Sequence, residues 1–178
     1  MATARYVAIP EAKPAFELVE GRLCQKVSAQ YNHGRVQFAM TAKMKDWARG
    51  RGRVSIEWRF YLDDPVPGRH SLVPDVAFVS YERLPKSESA AAQQPHLAPD
   101  VAVEILSPDD WRSQIDRKTL IYLLAGTELV LEIDPAARTL RARAHGLDRL
   151  YREGEVFAHP AMPGFMLDVG ELFAELDD

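Results

Sequence analysis

Cysteine is nearly missing from this chain. Cys24 stands alone in 178 residues, which excludes an internal disulfide and any multi-cysteine zinc site. As a lone thiol it is expected to be a buried small hydrophobe rather than a nucleophile. Long apolar runs are missing too: nothing approaches the roughly 18 residues of a membrane span, and the N-terminal Met-Ala-Thr-Ala-Arg-Tyr has no signal-peptide core. A cytoplasmic protein without membrane contact is the expectation. There is no internal repeat, no helix-turn-helix and no zinc module, so nothing announces sequence-specific base readout. Net positive charge is also lacking, because the formal charge is −4. The distribution is uneven, however. Between His33 and Arg59, seven basic residues (Arg35, Lys43, Lys45, Arg49, Arg51, Arg53, Arg59) face only Asp46 and Glu57, so this segment carries +5 and the remainder −9. A local basic surface and an ordinary solvated helix face both fit that run.

With 47% apolar and 27% charged residues, the chain is expected to form a single domain over 1–178 with a core of its own. Val36, Met40, Met44 and Trp47 recur at helical spacing from near His33, and Gly50 and Gly52 close that helix. The period then changes to two, with Val54, Ile56, Trp58, Phe60 and Leu62 on one face of a strand, followed by a turn at Asp63–Gly68. A second strand is expected from Leu72 to Val79, a mobile loop from Tyr81 to Pro99, and a central strand from Val101 to Leu106. Ser107-Pro108-Asp109-Asp110 reads as a helix start, leading to a helix that buries Ile115, Thr119, Tyr122 and Leu123 and stops at Gly126. Leu129–Ile133 is another buried strand. Alternation over Arg138–Ala144, a strand over Leu150–Phe157 and a short helix over Leu167–Leu176 complete the pattern.

Within these strands, Asp75 sits in Val73-Pro74-Asp75-Val76-Ala77-Phe78-Val79 and Glu104 in Val101-Ala102-Val103-Glu104-Ile105-Leu106, while Lys118 falls on the second helix. Carboxylates in apolar strands are costly to desolvate unless something engages them, and two acids with a lysine are the minimal equipment for metal-dependent phosphodiester hydrolysis. Plainer readings stand beside this one. Asp75 could cap a turn, Glu104 could form a structural ion pair with Lys118 or an arginine, and Lys118 could be solvated. His33 could be a base, a phosphate contact or a surface residue at a helix start. Glu57 and Arg59 read as surface residues.

The order of elements, with acids in the second and third strands, resembles the PD-(D/E)XK nuclease superfamily, and more closely its large bacterial branch of restriction-endonuclease-type proteins. The residues that carry the resemblance are Phe16-Glu17-Leu18-Val19-Glu20-Gly21-Arg22-Leu23, His33, Pro74–Val79, Pro99-Asp100-Val101-Ala102-Val103-Glu104-Ile105-Leu106-Ser107-Pro108, Lys118 with Tyr122, Ile133-Asp134-Pro135 and Met162-Pro163-Gly164-Phe165. The resemblance implies an α/β restriction endonuclease-like core, a mixed β-sheet flanked by helices in the order αβββαβ, with additional C-terminal strands. It makes Asp75 and Glu104 the metal-binding acids for Mg²⁺ or Mn²⁺ and Lys118 the third catalytic residue. The superfamily lysine usually lies two residues after the second acid, where this chain has Leu106; in this branch it has moved to the following helix. The fourth core strand often carries a tryptophan before its Ile-Asp-Pro end, where this chain has Leu131-Glu132-Ile133-Asp134-Pro135, and the position four before the lysine, often acidic, is Gln114. Glu17 and Glu20 could join the metal site in the family pattern. The implied activity is endonucleolytic hydrolysis of DNA, by a homodimer whose spare apolar surface is Val156-Phe157 to Phe165-Met166. The alternatives are a catalytically inactive nuclease fold that binds nucleic acid or a protein partner, and a different metal-dependent hydrolase.

Overall fold

In the computed structural model, residues 9, 12–62, 70–108 and 112–177 are described. The first element among the described residues is a hairpin, β1 (Phe16–Val19) and β2 (Arg22–Gln25), which periodicity does not reveal. Its two-residue turn, Glu20-Gly21, has positive φ at both positions, the geometry that matches the natural twist of paired strands. Helix α1 (Tyr31–Trp47) buries His33, Val36, Met40 and Met44 along one face. The following elements are β3 (Gly52–Ile56), β4 (Phe60–Leu62), β5 (His70–Leu72), β6 (Val76–Ser80), β7 (Val101–Ile105) and α2 (Arg112–Leu124). After these come β8 (Leu129–Asp134), β9 (Thr139–Ala144), β10 (Leu147–Arg152), β11 (Val156–Phe157), β12 (Leu167–Asp168) and α3 (Val169–Phe173).

The large sheet has the order β10-β9-β8-β7-β6-β3. Its one parallel pair is β7–β8, the two strands that α2 connects, so a mixed sheet follows from a single crossover. Leaving aside β4 and β5, the core order is α1, β3, β6, β7, α2, β8, which is the expected αβββαβ arrangement, and β9 and β10 are additional C-terminal strands. Alternation along the strands divides the core in two. Val76, Phe78, Val101, Val103, Leu131 and Ile133 pack toward α1 and α3. Ala77, Val79, Ala102 and Val130 face Ile121 and Tyr122 of α2, and this second cluster continues into Trp58, Phe60 and Leu72.

Two long strands expected from the sequence are each broken, and both breaks lie at the same place. Glu57 has a φ of 49° and ends β3, so Phe60 and Leu62 leave for a smaller sheet of order β2-β1-β5-β4. Val73-Pro74 separates β5 from β6, because proline has no N–H for the ladder. The breaks are tied together by the Glu57 N–H donating to the Asp75 carbonyl at 3.3 Å. Asp75 therefore stands where the chain crosses between sheets.

Other expectations need correction. The segment after Tyr81 is fastened rather than mobile: Leu84 is buried, Trp58 Nε1 donates to the Ala92 carbonyl at 2.8 Å, and the Tyr61 N–H donates to Pro95 at 2.9 Å. The strand expected over Leu150–Phe157 is interrupted at Gly154, whose φ is 85°, giving β10 and β11. The C-terminal segment combines β12, α3 and a 3₁₀ turn over Ala174–Leu176. Phe157, Met162 and Phe165 are core residues, leaving Val156 and Met166 as the exposed large hydrophobics of the supposed spare apolar surface. Cys24 is exposed on the hairpin, not buried. The turn expected at Asp63–Gly68 and the acids Asp109 and Asp110 lie outside the described residues; α2 is described from Arg112. Among the described residues no helix is long and apolar enough to cross a membrane.

Candidate functional site

The antiparallel register of β6 and β7 pairs Val76 with Val103, so one step further Asp75 lies across from Glu104. Both share the side-chain parity of Ala77 and Ala102, the face that packs on α2. The Asp75 N–H donates to the Val103 carbonyl at 3.0 Å and its Oδ2 accepts from the Ile105 N–H at 2.6 Å, locking the carboxylate against β7. Lys118, one turn before Tyr122 on α2, reaches the same face. Its Nζ donates to Glu104 Oε2 at 2.7 Å, and the Tyr122 hydroxyl donates to Glu104 Oε1 at 2.9 Å.

The three residues singled out in the sequence therefore meet, and the structure adds others. Lys26, immediately after β2, places its Nζ 2.7 Å from Asp75 Oδ1. Glu17 of β1 accepts from the Val73 N–H at 2.7 Å and lies 3.0 Å from Lys118 Nζ. His33 is buried rather than on the surface, with Nε2 3.3 Å from Asp75 Oδ2 and no hydrogen-bond partner on Nδ1. Glu57, half exposed, lies 3.1 Å from Lys26. Glu20 does not join them; it pairs with Arg117 at 3.3 Å. The sequence held a signal for Glu17, an acid inside Phe16-Glu17-Leu18-Val19 just as Glu104 is inside its strand. It held none for Lys26, which belongs to no periodic run.

Glu17, Lys26, His33, Asp75, Glu104 and Lys118 line a cavity of about 200 Å³ between the hairpin and α2, with Val27 and Ile115 among its walls and Arg22 and Arg117 also lining it. Asp75 and Glu104 are only 2% and 3% exposed. Burial alone would raise the Asp75 pKa, but Lys26 and the His33 hydrogen bond outweigh it and hold the carboxyl well below the usual range. Glu104 goes the other way. Burial, opposed by Lys118 and reinforced by the neighbouring Asp75 and Glu17 carboxylates, leaves it pushed up to about 7. For Lys118 burial opposes the charge, yet Glu104 and Glu17 raise its pKa above the ordinary lysine value, so it stays protonated.

In the basic run from Arg35 to Arg59, four of the side chains are engaged within the fold. Lys43 pairs with Glu171, Arg49 with Asp46, Arg53 bonds the Leu84 and Pro85 carbonyls, and Arg59 donates to Ser71.

Among the described residues no three His, Cys, Asp or Glu side chains form a ready metal-ligand cluster. Lysines stand between the acids instead. The donor set nonetheless suits a hard cation: the Lys26 ammonium is already surrounded by Asp75 Oδ1, the Val73 carbonyl and Glu57 Oε1, all within 3.1 Å.

Residues 3–170 match the model of the Uma2 family, described as "Putative restriction endonuclease". Among solved structures, the chain is similar to a "putative nuclease belonging to DUF820" from Anabaena variabilis ATCC 29413, at a TM-score of 0.84 and 28% identity over 94% of each chain. No curated protein matches it.

Proposed function

The chain belongs to the Uma2 family of restriction-endonuclease type, and from that premise we propose that it is a divalent-metal-dependent nuclease that hydrolyses DNA phosphodiester bonds. The observation that carries the reading is the cross-strand placement of Asp75 and Glu104 on one face, with Lys118 on Glu104, at the wall of one cavity. Asp75 and Glu104 would hold Mg²⁺ or Mn²⁺, with Glu17 close by. Bound there, the ion would polarise the scissile phosphate and lower the pKa of a water. The chain's own residues do the rest. The Ile105 N–H fixes Asp75 Oδ2, and the Tyr122 hydroxyl fixes Glu104 Oε1 and leaves Oε2 to Lys118. Lys118, kept protonated, donates to the charge that grows on the phosphate or orients the attacking water. In this reading residues 1–178 act as one nuclease domain in the cytoplasm, as a homodimer; light scattering that shows a monomer at micromolar concentration refutes the dimer.

The test is cleavage of DNA by purified protein with Mg²⁺ or Mn²⁺. Asp75→Asn and Glu104→Gln are expected to abolish it, because a neutral amide is a poor ligand for a divalent ion. Unchanged cleavage by Glu104→Gln refutes the assignment. One feature favours a second reading, a non-catalytic nuclease fold that binds nucleic acid or a protein: both acids already have an ammonium partner. That reading predicts no metal-dependent cleavage of any nucleic acid by the wild type.

A further inference from the structure

Lys26 stands on the oxygen that Asp75 would offer to a metal. Its main-chain N–H donates to the Ala15 carbonyl at 2.9 Å, so the hairpin fixes the stem while the side chain crosses to the β6 side of the cavity. The ammonium donates to Asp75 Oδ1 at 2.7 Å, the Val73 carbonyl at 2.9 Å and Glu57 Oε1 at 3.1 Å. An ammonium has three N–H donors, so all are spent on oxygens that equally suit a hard divalent ion. The other Asp75 oxygen is taken: Oδ2 accepts from the Ile105 N–H and faces His33 Nε2. Oδ1 is thus the position at which Asp75 can take up an ion. Lys118 is placed differently, with its contacts on Glu104 and Glu17.

We propose that Lys26 is the exchangeable counter-cation of this site, a positioning residue that neutralises Asp75 in the metal-free protein and competes with the divalent ion for Oδ1. The inference rests on the metal-binding role proposed for Asp75. It makes metal affinity a property of the hairpin as well as of the sheet.

The test is calorimetric titration of Mn²⁺ into the full chain, without nucleic acid. Lys26→Met and Lys26→Gln are expected to bind Mn²⁺ about tenfold tighter or more than wild type, since a competing charge in contact with the ligand oxygen is gone. Lys26→Gln keeps a donor toward Asp75 and decides the matter if Lys26→Met does not fold. Lys26→Arg, which retains the charge, returns the affinity toward wild type. Arg22→Gln removes one positive charge from the same cavity away from Asp75 and is expected to stay within about twofold, the ordinary weight of an exposed charge. Asp75→Asn is expected to lose binding. If Asp75→Asn loses binding but both neutral Lys26 variants bind no tighter than Arg22→Gln, the role of Lys26 is overturned and the metal site stands. If Asp75→Asn binds like wild type, the metal assignment itself falls, and Lys26 with it.

Discussion

Glu104 and Glu132 occupy equivalent places in the sheet and have different surroundings. They lie in register on the parallel strands β7 and β8, and both are buried at 2–3% exposure. Around Glu132 the neutralisation is complete. It accepts from Arg112, from Arg143 at 3.3 Å and from the Thr119 hydroxyl at 2.7 Å, and Asp116 engages both arginines on their other side. Guanidinium forks and a hydroxyl satisfy that carboxylate, and it does not line the cavity of Asp75. Glu104 has one tyrosine and one lysine, shares the lysine with Glu17, and faces Asp75. Glu17, Asp75, Glu104 and Glu57 share two ammonium groups, Lys26 and Lys118, with His33 beside Asp75. Burial of an acid in a strand is therefore not enough to mark a site. The distinguishing property is a shortage of positive charge, which a divalent ion would make good.

The sharpest way to break this comparison is activity. Glu132→Gln is expected to cut DNA within a few-fold of wild type, while Glu104→Gln in the same assay falls below detection. Equal loss in both would mean that the two acids do not differ in kind.

Stability should separate them in the opposite sense. Lys118→Met leaves two buried acids without their ammonium and is expected to cost about 3 kcal/mol, read as a lower midpoint in urea. Glu132→Gln is expected to cost about 2 kcal/mol, less than a fully orphaned pair because Asp116 still engages both arginines. Glu104→Gln is expected to cost least, since it removes a carboxylate that burial already disfavours.

The smallest effect is a pH slope. In the metal-free protein burial raises the Glu104 pKa from 4.5 to about 7, so between these values the folded state holds a proton that the unfolded chain has released. Stability from this group is present below pH 4.5 and is lost as pH rises toward 7. Glu104→Gln removes that loss, so its stability relative to wild type should rise between pH 5 and 7.5. A relative fall over that range would mean that Glu104 is as well satisfied as Glu132. The lowered Asp75 pKa acts in reverse, giving stability above its ordinary value of 3.8 that is lost as pH falls.

Periodicity and burial logic made much of this architecture readable. α1, the central β7 and the β7-α2-β8 crossover follow from spacing alone, because each buries a continuous apolar face. The breaks at Glu57 and Pro74 were hidden, since alternation continues across them while the chain changes sheets. Asp75, Glu104 and Lys118 were legible as charges out of place in apolar surroundings and as a family pattern. Lys26 was not, because its partners lie 31 to 49 residues away and only the folded hairpin brings it to them. Glu132 shows the opposite limit: the same embedded-acid signature, closed by arginines from α2 and β9 that no local pattern connects to it.

The most direct test of the account is anomalous diffraction from crystals soaked in Mn²⁺. One ion peak is expected between Asp75 and Glu104, with carboxylate oxygens from both at about 2.0–2.6 Å, Lys26 withdrawn from Asp75 Oδ1, and no peak at Glu132. Crystals saturated with Mn²⁺ that show no ion there, and both acids still on their lysines, would contradict it.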